Sequence, residues 1–175
     1  MLEIRAAVPS DAPDVMALIR DLARYEKLLD EVDADEAMLR QALFGTQPRV
    51  FCEIARWSAA GVEPVTAGFA LWFYNFSTFR GRHGLYLEDL FVRPEHRGRG
   101  IGRALLVRLA QRCIREDLAR FEWAVLDWNQ PALRFYRSLG ALGLGDWIPH
   151  RVTGDALHAL ANSDADGGAL EELAH

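Results

Sequence analysis

The stretch Leu85–Arg103, LYLEDLFVRPEHRGRGIGR, decides the fold of this chain. Its first part, Leu85–Val92, is mostly apolar and predicts a buried strand. Its second part is rich in glycine and arginine and leads into a helix predicted at Ile101–Asp117, where apolar residues recur near one face. Because Phe121–Leu126 predicts another strand, residues 85–126 form a strand–helix–strand unit with parallel strands and a right-handed crossover.

Further elements on both sides of this unit predict an α/β domain with a mixed sheet. Before it, the pattern predicts a strand at 2–6, helices at 11–28 and 33–43, and strands at 50–55 and 65–76. The second helix is expected to open on a capping box, Asp33-x-x-Glu36. After the unit, we predict a helix at 130–139, a last strand at 147–152 and a short helix at 155–160. We expect a single domain over residues 1–162 and an acidic, flexible tail at 163–175.

Composition and charge argue against several classes of protein. The 175 residues carry a net charge of −5 and 50% of them are apolar, which argues against a dedicated nucleic-acid binder. The two cysteines, Cys52 and Cys113, lie far apart and have no metal-ligand spacing, so we expect a cytoplasmic protein without disulfides or metal. The longest uncharged stretch, 64–79, is too short and too polar to cross a bilayer, and the N-terminus lacks a signal-peptide pattern.

Glycines alternate with arginines between the strand and the helix, in the segment 96–103, HRGRGIGR. Glycines let the backbone turn sharply, and the helix start adds N–H donors and a positive dipole end, so the segment predicts a phosphate site. A Walker loop is excluded because Gly-Lys-Ser/Thr does not occur, and the Rossmann pattern G-x-G-x-x-G fails at Arg103. The remaining pattern, R-x-x-G-x-G, is formed by Arg97, Gly100 and Gly102.

This pattern, placed between a strand and a helix, resembles the acetyl-CoA-binding motif of the GNAT N-acetyltransferase superfamily. The runs Tyr86–Val92 (YLEDLFV), Val125–Gln130 (VLDWNQ) and Phe135-Tyr136 are similar to its spermidine/spermine (diamine) and thialysine N-acetyltransferase branch. The resemblance implies a GNAT-like mixed, mostly antiparallel sheet. A central parallel strand pair is expected to splay to hold acetyl-CoA, with about four helices flanking the sheet.

The resemblance also implies acetyl-CoA as co-substrate and no metal. The backbone of the strand end is expected to pair with the pantetheine arm, and the glycine–arginine loop to hold the pyrophosphate. The residues assigned to this site are Leu90, Phe91, Val92, Arg97, Gly98, Arg99, Gly100, Ile101, Gly102, Arg103, Asn129 and Tyr136. Asn129 has a second interpretation as the N-cap of the following helix, and both can hold.

Transfer to an alkyl amine needs a base, because an amine with a pKa near 10.4 is protonated at neutral pH. Glu88 is the candidate base, and its family position implies that it acts through a water. The alternative interpretation, that Glu88 is a structural strand carboxylate paired with a nearby arginine, stays open. Strand alternation places Tyr86, Glu88 and Leu90 on one face and Leu87, Asp89 and Phe91 on the other, unless a bulge reorients them. We expect Asp89 to be structural or polarising.

Tyr136 is the candidate acid for the departing CoA thiolate, since a phenol with a pKa near 10 is matched to that task. A core aromatic beside Phe135 is the other interpretation. At the amine end, Tyr25 and Glu26 match a substrate-contacting pair of the branch, and with Glu88 they form the predicted amine site. Phe79, where polyamine enzymes often have Trp, favours a small amine over a long polyamine.

The predicted function is acetyl transfer from acetyl-CoA to a primary amine of a small molecule, a diamine, a polyamine or a thialysine-like compound. Two other functions stay open at this point, a protein or peptide N-acetyltransferase and a non-catalytic acyl-CoA-binding module. The resemblance further implies a homodimer. Neither a nucleic acid nor a membrane is expected as a partner.

Overall fold

The computed structural model describes residues 1–163, which contain five β-strands and five α-helices. The strands are β1 (Leu2–Ala6), β2 (Phe51–Trp57), β3 (Val65–Ser77), β4 (Arg82–Val92) and β5 (Phe121–Trp123). The helices are α1 (Ala12–Glu26), α2 (Glu36–Phe44), α3 (Ile101–Arg115), α4 (Gln130–Ser138) and α5 (Gly154–Ala161). The tail predicted at 163–175 lies, except for Ser163, outside the described residues.

Met1–Leu126 form one compact unit built on a mixed sheet with the strand order β1-β2-β3-β4-β5. Neighbouring strands are antiparallel except β4 and β5, which are parallel and joined through α3. The mixed, mostly antiparallel sheet with one parallel pair is therefore confirmed. Among the described residues β5 is the outermost strand, so the parallel pair lies at one edge of the sheet and not at its centre.

Helices cover both faces of this sheet. On one face, apolar side chains of α1 and α2 pack on the sheet in a cluster that includes Val15, Leu39, Ile54, Phe69 and Phe91. On the other face, α3 buries Ile101, Leu105 and Leu109. The helical spacing seen in the sequence therefore corresponds to the buried side of α3.

Two local predictions are wrong. The N-cap of α2 is Asp35, whose side chain accepts a hydrogen bond from the N–H of Met38 at 2.8 Å, so Asp33 does not open the helix. Residues 147–152 are not a strand but irregular structure. Extended backbone needs a neighbouring edge to satisfy its N–H and C=O groups, and among residues 1–163 no strand pairs with this segment.

The second unit begins at Asp127 and contains α4 and α5. The side-chain oxygen of Asn129 accepts a hydrogen bond from the N–H of Ala132 at 3.3 Å, which confirms Asn129 as the N-cap of α4. Gly140 follows the helix with a φ of 85°. A single domain over residues 1–162 stays a prediction. In the part of the chain that is described, no helix is both long and apolar enough to cross a bilayer.

Candidate active site

A β-bulge interrupts β4 at Glu88. Asp89 lies opposite Leu71 of β3 and Leu87 lies opposite Trp72, so Glu88 is an extra residue with no counterpart on β3. Because the consecutive residues Leu71 and Trp72 face opposite sides of the sheet, Leu87 and Asp89 do so as well. Unbroken alternation, which puts Leu87 and Asp89 on one face, is therefore wrong here. The sequence allowed one exception, a bulge that reorients these residues, and the structure contains that bulge.

The two parallel strands separate just before the bulge. Their pairing runs from Leu85 opposite Phe121 to Leu87 opposite Trp123. Beyond Leu87, no strand of the described residues pairs with β4 on that side. The last five residues of β4 therefore have an open edge, which is the splayed arrangement expected of the pair.

Two residues present their backbone groups to this open edge. The N–H of Arg93 donates to the carbonyl oxygen of Ala67 on β3 at 2.9 Å. Alternation along the strand then directs the N–H and C=O of Phe91 towards β3, and those of Leu90 and Val92 towards the open side. The side chain of Phe91 is buried in the core cluster, so its contribution is to packing. An extended ligand could pair with Leu90 and Val92 as an added strand.

The loop after β4 turns twice through the left-handed region. Gly98 has a φ of 73° and Gly100 a φ of 77°, and a Cβ at either position would point into open space. The helix α3 starts at Ile101, and no side chain within residues 1–163 caps its N-terminus. Its first N–H groups and its positive dipole end therefore suit an anion such as a phosphate.

The three arginines of the segment 97–103 have different surroundings. The guanidinium of Arg97 lies 4.9 Å from the ring centre of Tyr25, and that of Arg99 lies 5.0 Å from the ring centre of Trp57. Arg103 lines a groove of about 420 Å³ beside β1. Two of the three cations thus lie over aromatic rings, and the main-chain N–H groups at the start of α3 are further donors for an anion.

Three carboxylates interact at the bulge and the end of α1. Burial, followed by the negative charges of Glu88 and Glu26, raises the pKa of Asp89 from 3.8 to about 7. Burial also raises the pKa of Glu26. A carboxyl group with a pKa near 7 can gain or lose a proton at neutral pH, and the cluster attracts a cation.

Asp89 is more central to this cluster than strand alternation alone suggests. Its signal in the sequence is a pair of acids, Glu88 and Asp89, inside an apolar strand. At the bulge Glu88 is exposed, whereas Asp89 is half-buried and lies opposite Leu71 on the face that α1 covers. The other predicted amine contacts, Tyr25 and Glu26, are half-buried in the last turn of α1.

The remaining predicted site residues, Asn129 and Tyr136, belong to the second unit. Asn129 caps α4, and Tyr136 lies on the same helix seven positions later. The ring centre of Tyr136 lies 5.4 Å from that of Phe135. Their roles towards acetyl-CoA stay predictions.

The open β4 edge, the glycine loop and the uncapped helix define a class of protein. A sequence model of the acetyltransferase (GNAT) family matches residues 16–141, and the chain belongs to this family of N-acetyltransferases. The resemblance noted from the motifs is thereby confirmed. Enzymes of the family use acetyl-CoA as co-substrate.

Several curated proteins that are similar to this chain are named as N-acetyltransferases. Thialysine N-epsilon-acetyltransferase of Bos taurus is 38% identical over 164 residues, which cover 90% of this chain and 96% of that protein. L-ornithine N5-acetyltransferase of Arabidopsis thaliana is 30% identical over 197 residues, covering 90% and 86%. Among solved structures, an integron cassette protein from the mobile metagenome of V. cholerae has a TM-score of 0.75 at 28% identity, covering 93% and 98%.

Proposed function

We propose that this enzyme transfers acetyl from acetyl-CoA directly to a primary amine of a small molecule, a diamine, a polyamine or a thialysine-like compound. The observation that carries the proposal is the position of the Asp89–Glu88–Glu26 cluster beside the open edge of β4. A cluster of negative charge next to a thioester site suits a cationic amine that must lose a proton. The names of the thialysine and ornithine enzymes support the same substrate class.

The residues present fit acetyl-CoA, which supplies an acetyl thioester when bound. For the pantetheine arm, Leu90 offers a backbone N–H and C=O and Val92 offers its N–H, since the Val92 oxygen accepts a hydrogen bond from Arg97. The backbone at Gly98–Arg103 offers N–H groups for the pyrophosphate, helped by the uncapped start of α3. Asn129 and Tyr136 complete the proposed set of contacts from the second unit.

Side chains of this protein bind the protonated amine and remove its proton. Tyr25 and Glu26 attract and orient the ammonium group. Glu88, exposed at the bulge, takes the proton through a water, and the ionised form of Asp89 strengthens the negative potential that favours this transfer. Tyr136 then donates a proton to the CoA thiolate.

An amine panel tests this function. Thiol release from acetyl-CoA is measured with thialysine, ornithine, lysine, short diamines, spermidine, spermine and several peptides. Turnover with a small amine supports the proposal, whereas turnover with peptides alone would replace it with a protein acetyltransferase. Binding of acetyl-CoA without any transfer would point to an acyl-CoA-binding module.

Replacing Tyr136 with Phe should lower kcat at least about tenfold, because the thiolate loses its proton donor. The dissociation constant for acetyl-CoA, measured by calorimetry, is expected to stay within about twofold, since only one hydroxyl is removed. Tyr74→Phe is the matched control, because the Tyr74 hydroxyl donates a hydrogen bond to Glu116 at the end of α3. Equal kcat values for Tyr136→Phe and the control would remove Tyr136 as the acid.

We also propose a homodimer in the cytoplasm. In the second unit Leu142, Trp147 and Ile148 are 88%, 75% and 76% exposed, and large apolar side chains grouped in this way are usually covered by a partner. Sedimentation equilibrium is expected to give twice the chain mass of 19.7 kDa. Trp147→Glu should shift the mass towards the monomer, and an unchanged dimer would exclude this segment from the interface.

The proposed location in the cytoplasm rests on the cysteines. The unpaired, buried Cys52 and Cys113 suit a reducing compartment.

A further inference from the structure

Arg97 connects two elements of the candidate site. Its guanidinium lies 4.9 Å from the ring centre of Tyr25 on α1 and 5.6 Å from the ring centre of Phe91 on β4. Its Nε donates to the main-chain oxygen of Val92 at 2.9 Å. One side chain thus touches the last turn of α1 and the last residues of β4.

The Val92 oxygen is the terminal acceptor of the open edge. In a trans peptide the C=O of one residue points opposite to the N–H of the next. Because the N–H of Arg93 donates to β3, the oxygen of Val92 points to the open side. Arg97 therefore reaches the β4 edge at its end while its cation lies over the ring of Tyr25.

Arg99 shows that this arrangement is not shared by the loop's charges in general. It lies two residues away and carries the same charge, but its guanidinium lies over Trp57 of β2, and its Nη2 donates to the main-chain oxygen of Glu95 at 3.3 Å. An arginine that only supplies positive charge for a phosphate does not need to contact Tyr25 or the end of β4. Contact with the end of α1 therefore distinguishes Arg97 from Arg99.

We propose that Arg97 is a positioning residue that holds Tyr25, and with it Glu26, against the open edge of β4. It thereby sets the affinity for the amine as well as for acetyl-CoA. This inference rests on the proposed function, in which Tyr25 and Glu26 contact the amine. The cation–ring contact and the hydrogen bond to Val92 act together, because each of them holds the guanidinium in the position that the other contact requires.

Binding of thialysine in the absence of acetyl-CoA tests the inference. By calorimetry, Arg97→Gln is expected to weaken thialysine binding about fivefold, whereas Arg99→Gln should change it less than about twofold. Both variants should weaken acetyl-CoA binding, because each removes a positive charge near the pyrophosphate. Arg97→Lys should recover part of the loss, since it keeps a cation over Tyr25, and it serves as the test variant if Arg97→Gln does not fold.

A double-mutant cycle separates positioning from a general loss of charge. In a Tyr25→Leu background the ring is absent, so Arg97→Gln should cause no further loss of thialysine affinity. Equal effects of Arg97→Gln and Arg99→Gln on thialysine, or additive losses in the cycle, would overturn the inference and leave the proposed function intact. A wild-type protein that binds acetyl-CoA but no amine would overturn the proposed function and this inference with it.

Discussion

Replacing Gly100 with valine is expected to raise the dissociation constant for acetyl-CoA at least about a hundredfold. Gly100 has a φ of 77° and immediately precedes the first turn of α3. A β-branched residue disfavours this conformation, and its side chain would extend into the open space next to the N–H groups proposed to hold the pyrophosphate. Calorimetric titration with acetyl-CoA measures the effect directly.

Gly61→Val is the matched control for backbone strain. Gly61, in the turn between β2 and β3, has a φ of 73°, and a Cβ added there would likewise meet no atom within 4 Å. Both variants should lose about 1–2 kcal/mol of unfolding free energy, because each forces a side chain into the left-handed region. Only Gly100→Val should lose acetyl-CoA binding. Binding within about threefold of wild type would refute the assignment of this loop to the pyrophosphate.

The sequence predicted well what depends on neighbouring residues in the chain. The apolar run that became β4, the helical spacing of α3 and the glycines between them identify the parallel unit without reference to the rest of the molecule. The N-cap role of Asn129 was predictable for the same reason, since the capped N–H lies three residues further on. The two left-handed turns at Gly98 and Gly100 belong to this group because they need glycine locally, whereas their role towards a phosphate stays a prediction.

The remaining features depend on partners that are distant in sequence. The bulge at Glu88 is defined by the register against β3, which places the half-buried Asp89 opposite Leu71 and leaves Glu88 exposed. Tyr25, the ring partner of Arg97, lies 72 positions earlier in the chain, so no local sequence pattern predicts this contact. The segment 147–152 has the composition of a strand, but a strand forms only where an edge accepts it.

Glu88→Gln and Asp89→Asn are expected to change the pH dependence of the rate in different ways. The rate should rise with pH as Asp89 ionises, with a midpoint near its pKa of about 7. Asp89→Asn removes the titrating group, so kcat/KM should lose this rise and remain near its acidic plateau. Glu88→Gln should lower kcat by about a hundredfold or more, because it removes the base.

Glu88→Gln should also move the midpoint of the remaining rise to lower pH. The charge of Glu88 contributes to the raised pKa of Asp89, so its removal makes Asp89 a stronger acid. Asp117→Asn is the control for loss of a carboxylate, since Asp117 is an exposed residue paired with Arg82 at 2.6 Å. A rise that persists in Asp89→Asn would exclude Asp89 as its origin, and an unchanged kcat in Glu88→Gln would exclude Glu88 as the base.

Stability gives an independent test of Asp89. Its folded-state pKa of about 7 lies above the ordinary value of 3.8, so between these pH values the folded protein binds more protons than the unfolded chain. The free energy of unfolding should therefore fall as pH rises from about 4 to about 7. Asp89→Asn cannot ionise, so it should lack this contribution to the decline and be more stable than wild type at pH 8, measured by urea unfolding. Asp89→Asn should therefore gain stability and lose the pH response of the rate. This combination is expected of a carboxyl group that destabilises the folded protein but contributes to the reaction.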